Sequence, residues 1–408
     1  MARRNDDTMV DLYSAGNSRR PRRKKRRNKA RIIINVVASL VLVFSILMLS
    51  VTVVLGMRPL DETEQETGEN LEELVFSEHT DVSYVLVVGL DKSESLTDIV
   101  LVACIDHERN TMSLLQIPRD TFIGTDVPTC KINAVYNNPR EGESKINALR
   151  RRIYSCFGIP LDHYVIFTLE GFRNVIDAMG GVTINIEQES GIRIENHEEG
   201  TATVIGPGEV LLNGWMAEGF VRKRYQTLPG ETGYGLGDIS RIQQQRVFYA
   251  AVARKLKAMS LGDMLKIATS CYDQVTTSMS VSEMLAYAKE VQQINMDDMI
   301  IKSVPGQFSD YNAGRINGNV SLSYFSVRKD EYVSLFNEYF NPYGTQLMAS
   351  SISIPELHKL LGESDTGSVV TEGGTLEQIG GTTDVLTDAE PESGSSAAAG
   401  SGTSSGTE

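Results

Sequence analysis

Apolar positions between Tyr84 and Phe122 fall into three short runs, each bounded by charge: Tyr84 to Asp91, Asp98 to Asp106, and Met112 to Asp120. The separators, Lys92 to Thr97 and His107 to Thr111, are short and polar, so the pattern predicts three strands in an antiparallel meander. In such a meander strands one and three run the same way. Asp91 at the end of the first, Asp98 at the start of the second and Pro118-Arg119-Asp120 at the end of the third therefore collect at one edge of the sheet. From Ser144 the period lengthens: Ile146, Leu149 and Ile153 share a helical face, and Gly158-Ile159-Pro160 stops the helix. His163 to Thr168 reads as a strand, Phe172 to Met179 as a helix closed by Gly180-Gly181, and Val182 to Ile186 as another strand.

Glu187 to Thr203 is charged and reads as a surface loop. Gly206-Pro207-Gly208 marks a turn, and Leu212 to Arg224 is helical. A glycine-rich loop, Gly230 to Gly237, leads into a long helix through Lys257. Asp238 takes its N-cap position, Arg241 and Gln245 share a face, and Ile242, Tyr249, Val252 and Leu256 form the buried stripe. Further helices follow, including Met279 to Gln293, with an extended segment from Val304 to Tyr324. Strands alternating with helices predict an α/β fold: a layered α-β-α domain with a central mixed, largely antiparallel sheet.

The flanks read differently. Residues 32–57 form an almost unbroken apolar run, interrupted by Asn35, Ser39, Ser45, Ser50 and Thr52. At roughly 1.5 Å per residue it exceeds the ~30 Å hydrocarbon core, and it is longer than the ~7–15 apolar residues of a cleaved signal peptide. It is expected to be one N-terminal transmembrane signal-anchor helix. Residues 1–31 carry twelve Lys and Arg against three Asp, which makes them a cytoplasmic basic tail and sends the rest outside the membrane. The organisation expected is then an acidic linker (58–80), a catalytic core (81–260), a helical part with extended segments (261–360) and a Gly/Ser/Thr-rich acidic tail (361–408).

Charge narrows the partners. The whole chain is at −14, and with the basic tail set aside the outer part is more acidic still, which argues against nucleic acid as its ligand. Four cysteines suit an oxidising exterior; Cys104 is a core position, and pairing of Cys130 with Cys156 stays open. No Cys-x-x-Cys or paired-His spacing of a zinc site occurs, nor a Gly-x-x-x-x-Gly-Lys-Ser/Thr loop for a nucleotide. Carboxylates and an arginine at one strand edge suit a metal-assisted phosphate site, because hard cations take oxygen ligands and Arg forks onto phosphate oxygens. The bland alternative is that charged residues merely terminate strands.

The landmarks Val87-Val88-Gly89-Leu90-Asp91, Thr97-Asp98, Ile117-Pro118-Arg119-Asp120, Lys131-Ile132-Asn133-Ala134, Gly180-Gly181-Val182, Leu212-Asn213-Gly214, Val221-Arg222-Lys223-Arg224 and Asp238-x-x-Arg241-x-x-x-Gln245 resemble, in kind and order, the LytR-CpsA-Psr (LCP) family. That resemblance implies a membrane-anchored phosphotransferase of a Gram-positive type envelope. Such an enzyme moves an anionic glycopolymer, of teichoic acid or capsule type, from a polyprenyl pyrophosphate carrier to peptidoglycan. Carried over by position, it implies magnesium (Mg) on Asp91 and Asp98, and pyrophosphate binding by Arg119, Arg222, Arg224, Arg241 and Gln245. Catalytic roles fall to Asp98, Arg119, Asp238 and Arg241, with Asp98 and Asp238 as alternatives for taking the acceptor's proton. Two positions depart from the family pattern, Leu96 and Gln244, where arginine is usual. They keep a second reading in play, a noncatalytic binder or sensor of lipid-linked glycopolymer; a third is a polyprenyl pyrophosphate hydrolase, in which water replaces the sugar hydroxyl.

Overall fold

The structure is a computed structural model that describes residues 81–187, 189–196, 200–223, 236–295, 298–312, 321–341, 345–364 and 374–375. All belong to one compact unit, Glu66–Glu408. The expected membrane helix at 32–57 lies outside them; among the described residues no helix is long and apolar enough to cross a membrane.

The chain begins with the expected meander, β1 (Val82–Leu90), β2 (Thr97–Asp106) and β3 (Thr111–Gln116). Helix α1 (Lys145–Phe157) and β4 (His163–Phe167) follow, then α2 (Leu169–Ala178). Four short strands come next: β5 (Val182–Ile186), β6 (Ile192–Asn196), β7 (Thr201–Ile205) and β8 (Gly208–Leu212). They lead into α3 (Gly214–Arg222), the long α4 (Leu236–Ala258) and α5 (Leu261–Ser270). The remainder is β9 (Val275–Thr277), α6 (Val281–Gln293), β10 (Ile300–Ser303), β11 (Gly306–Tyr311), β12 (Leu322–Val327), α7 (Lys329–Tyr339), α8 (Leu357–Leu360) and β13 (Gly374–Thr375).

The central sheet has seven strands in the order β13-β10-β3-β2-β1-β4-β9. The pairs β1–β2, β2–β3, β4–β9 and β10–β13 are antiparallel, while β1–β4 and β3–β10 are parallel. The sheet is thus mixed and largely antiparallel, as the alternation of elements predicts. The layers follow from period-two alternation along β1 and β2. Val82, Tyr84, Leu86, Val88, Val100, Val102 and Cys104 join the core packed with Leu149, Ile153 and Tyr332. Val85, Leu101, Ala103 and Ile105 join a second core with Ile176, Phe220, Val247 and Phe248. Buried on both faces, strands β1 and β2 need the near-continuous apolar runs that the sequence gives them.

Helix boundaries have local causes. Ser144 caps α1 by accepting from the Asn147 amide at 3.3 Å, and Gly158, in the left-handed region at φ 71°, ends it. Arg150, on the same helix, is buried and donates to the Leu161 carbonyl at 2.8 Å. Three expectations are corrected. Residues 187–203 are not simply a surface loop: Ile192, Ile194 and Ile205 are buried beneath the β6–β7 hairpin. The last helix before the glycine-rich loop ends at Arg222 rather than Arg224. Helix α4 starts at Leu236, so Asp238 falls inside its first turn and not at the cap. Cys130 and Cys156 are both free and buried.

Candidate functional site

A β-bulge sets up the site. Gly89 pairs with Ile99 but Leu90 pairs with Thr97, so Asp98 is the extra residue of β2. A bulge re-aims a side chain. Here consecutive residues, Asp98 and Ile99, both line one cavity, which regular alternation would forbid. The cavity has a volume of ≈ 740 Å³ and lies between the sheet and helices α2, α4, α5 and α6. Its wall is apolar for most of its extent, with Val87, Leu101, Leu114, Phe172, Phe248 and Leu256 among the lining residues. The charged and carboxamide side chains of the lining are Asp98, Arg119, Glu218, Arg222, Arg241 and Gln245.

The charged groups form alternating pairs. Arg119 Nη1 donates to Asp98 Oδ1, while its Nε lies 3.5 Å from Asp120 Oδ2. Arg222 Nε is 4.0 Å from Asp98 Oδ2. Arg241 Nη2 is 3.7 Å from Asp120 Oδ2, and Lys131 donates to Asp120 Oδ1 at 2.9 Å. Burial alone would raise the Asp120 carboxyl, but Lys131 and Arg119, with Arg241 beyond them, outweigh it and hold it below its ordinary value. Asp120 is therefore a buried anion around which three cations are arranged. The segment carrying it is fixed from the far side, since the Asp120 carbonyl accepts from the Phe325 amide at 2.9 Å.

Arg241 and Gln245 are not surface helix residues; both are buried. The Gln245 carboxamide is engaged in both directions. Its oxygen accepts from Gln116 at 2.6 Å, its nitrogen donates to the Val221 carbonyl at 3.2 Å, and Gln116 in turn accepts from Ser303 at 3.2 Å. This chain of amides ties α4 to the end of β3, to β10 and to the end of α3 next to Arg222. Gln244, one of the two departures from the family pattern, is also buried.

Asp91 stands apart from the cavity wall. Its carboxylate accepts from the amides of Ser95 at 3.0 Å and Leu96 at 2.9 Å and from the Ser93 hydroxyl at 2.7 Å, closing the β1–β2 turn. Partial burial works to raise its pKa, and the Leu96 amide and Ser93 hydroxyl prevail to lower it. As a magnesium site the donor set fits in kind: two carboxylates close in sequence, both oxygen donors, with the phosphates of a ligand to complete the shell, which is how this ion is commonly held. Among the described residues no group of three or more His, Cys, Asp or Glu side chains gathers as a self-sufficient metal centre. Arg224 and the Asp238 side chain lie outside the described residues.

Of the predicted residues, then, Asp98, Arg119, Arg222, Arg241 and Gln245 come together at the cavity, while Asp91 closes the β1–β2 turn and is not among the lining residues. Glu218 is the residue that sequence reasoning missed. It is buried on α3, where Oε1 accepts from Arg222 Nη1 at 2.7 Å and Oε2 accepts from Arg173 Nε. The four-residue spacing of Glu218 and Arg222 on one helix was the available signal.

The family model described as the LytR_cpsA_psr family matches residues 52–341. The Bacillus subtilis (strain 168) polyisoprenyl-teichoic acid–peptidoglycan teichoic acid transferase TagV is 28% identical over 198 residues, covering 47% of this chain and 46% of that protein. The chain thus spans about half the length of that relative. The Bacillus cereus transferase TagU is 23% identical over 258 residues, covering 61% of this chain and 76% of that one. The crystal structure of B. subtilis TagV superposes with a TM-score of 0.51 at 23% identity, over 65% of this chain and 100% of that one, and shows the shared fold. With a family match over well more than half its length, the chain belongs to the LytR-CpsA-Psr family.

Proposed function

We propose that the protein is a phosphotransferase that moves an anionic glycopolymer, of teichoic acid or capsule type, from a polyprenyl pyrophosphate carrier to peptidoglycan. One observation carries the reading: an apolar cavity of ≈ 740 Å³ whose polar lining holds three arginines. That combination matches a ligand with a long hydrocarbon tail and a doubly charged head. The names of the relatives TagV and TagU support the same class of donor and acceptor.

In this reading the polyprenyl chain occupies the apolar part between sheet and helices. Arg119, Arg222 and Arg241 bind the pyrophosphate, joined by Arg224 on the position of its motif, and Gln245 holds the polar end of the pocket together. A peptidoglycan hydroxyl attacks the phosphorus that bears the glycan. The new phosphodiester bond forms as the bridging P–O bond breaks, and polyprenyl monophosphate leaves. The arginines offset charge on the phosphate oxygens as it shifts toward the leaving group. The acceptor's proton passes to a carboxylate, with Asp98 and Asp238 as the two candidates. Magnesium, held by Asp91 and Asp98 with phosphate oxygens, would add charge neutralisation at the same head group. The donor's own pyrophosphate bond drives transfer, so no nucleotide is required.

The reading further places residues 32–57 across the cell membrane as a single span, with the N-terminus cytoplasmic and the catalytic domain outside. The test uses the full chain in detergent with a synthetic polyprenyl pyrophosphate saccharide and peptidoglycan fragments, with and without magnesium, and identifies products by mass. A phosphodiester conjugate together with polyprenyl monophosphate is the expected result. Donor that binds but stays unchanged would replace transfer with binding, and free glycan phosphate formed in the presence of acceptor would replace it with hydrolysis.

A further inference from the structure

Arg222 is the most open of the three described arginines at the cavity: its side chain is 28% exposed, against 21% for Arg119 and 9% for Arg241. Its ion pairs are with Glu218, at 2.7 Å through Nη1, and with Asp98, at 4.0 Å from Nε, a distance too long for a hydrogen bond. A guanidinium has five N–H donors in a planar fork. Among the described residues, then, one corner of the Arg222 fork is pinned and the rest faces no hydrogen-bond acceptor, which leaves it for an anion. The pin is Glu218, which is itself locked by Arg173 on α2, so it cannot follow Arg222 outward.

We infer that Glu218, clamped by Arg173, is a positioning residue that presets Arg222 to receive the head group of the donor. The physical reason is entropic. A long arginine at a helix end samples many rotamers, and an anion that must first collect it binds less tightly than one that meets it already aimed. Three features of the fold support the assignment. Glu218 is buried, where a carboxylate needs partners. Glu218 and Arg222 are one turn apart on α3, so the bond survives as long as the helix does. The helix itself is fixed on both neighbours, through Gln245 on the Val221 carbonyl and through the Asp177 carboxylate, which accepts from the Gly214 amide at 2.8 Å.

The inference rests on the reading of the cavity as a pyrophosphate site, and the experiment separates the two. The probe is geranylgeranyl pyrophosphate, titrated into the full chain in detergent by calorimetry, with wild type, Glu218→Gln, Arg222→Ala and the double variant. Glu218→Gln retains an oxygen acceptor and the side-chain volume. It is expected to weaken binding about 5–10-fold, in keeping with the exchange of a charge-assisted bond for a neutral one. In the Arg222→Ala background the same substitution should change affinity less than 2-fold, because the group it positions is gone. Glu218→Asp, which keeps the charge but is shorter by one methylene, should recover part of the loss. Equal effects of Glu218→Gln in both backgrounds, or no effect in either, would overturn the positioning role and leave the pyrophosphate site standing. Failure of the wild-type chain to bind the probe would overturn both readings.

Discussion

Replacing Asp120 by Asn removes an anion that Lys131, Arg119 and Arg241 share, with little change in side-chain size. The carboxylate is 8% exposed, its hydrogen-bonded partner Lys131 15% and Arg241 9%, so the cations left behind would be largely desolvated. Removing one partner of a buried ion pair costs about 3–5 kcal/mol. Asn still offers one oxygen to Lys131, which places the expected loss near the lower end, about 3 kcal/mol. For a domain of this size that corresponds to a fall in Tm of about 5 °C. The pH dependence adds a second signature. The Asp120 carboxyl titrates below its ordinary value of 3.8 in the folded protein, so its contribution is fully present above the unfolded value. It is lost as pH falls through the folded one. The stability gap between wild type and Asp120→Asn, measured by urea unfolding from pH 7 downward, should stay level to about pH 5 and then close below about pH 4. A gap under about 1 kcal/mol at pH 7, or one that persists undiminished in acid, would refute the view of Asp120 as the buried anchor of the cation cluster.

Four other outcomes follow from the same geometry. Arg119→Ala should abolish turnover, read as absence of the phosphodiester product by mass, while circular dichroism reports an intact fold. Val252→Trp places a large ring in the cavity wall. It should raise KM for a long-chain polyprenyl donor by about 10-fold or more, with little change for a short-chain one, because it obstructs the tail rather than the head group. Gly214→Ala should destabilise the domain by about 1–3 kcal/mol, measured by thermal unfolding, because the new Cβ would lie 2.4 Å from the Arg173 carbonyl oxygen. Asp91→Asn should weaken magnesium stimulation of turnover, measured as a shift in the half-saturating magnesium concentration, with a smaller effect on donor affinity in the absence of metal.

What the sequence made legible depended on range. The meander was readable because β1, β2 and β3 are adjacent in the chain, alternate with period two and are joined by short polar turns. The bulge at Asp98 was not, since it is a register shift that exists only once two strands pair. Arg241 and Gln245 could be placed on one helical face, but their burial comes from β3 and from the end of α3, distant elements that periodicity does not reveal. The charge of residues 187–203 pointed to solvent, yet Ile192 and Ile194 alternate with Arg193 and Glu195 and bury one face of a hairpin. The polar members of that alternation hid the strand. Asp120 was seen as one more charged strand end, because its meaning lies in Lys131 and Arg241, brought to it by two other segments.

The two carboxylates that hold Arg119 are unequal, and the inequality bears on how an anion enters. Asp120 is pinned by Lys131 at 2.9 Å, faces Arg241 as well, and sits on a backbone segment bonded to β12. Asp98 has a bond to Arg119 and a longer approach to Arg222, and its side chain is about twice as exposed, 17% against 8%. On the proposed reading, a phosphate entering the cavity competes for Arg119 Nη1, now bonded to Asp98, while the Nε side remains against Asp120. The guanidinium then keeps its place and changes only the partner at its tip, so little reorganisation accompanies the exchange. Arg222 repeats the arrangement with Glu218 as the fixed side and Asp98 as the open one. Asp98 is thus the carboxylate that both arginines share among the described residues. This explains why a bulge that turns it into the cavity matters more to the site than any other irregularity of the sheet.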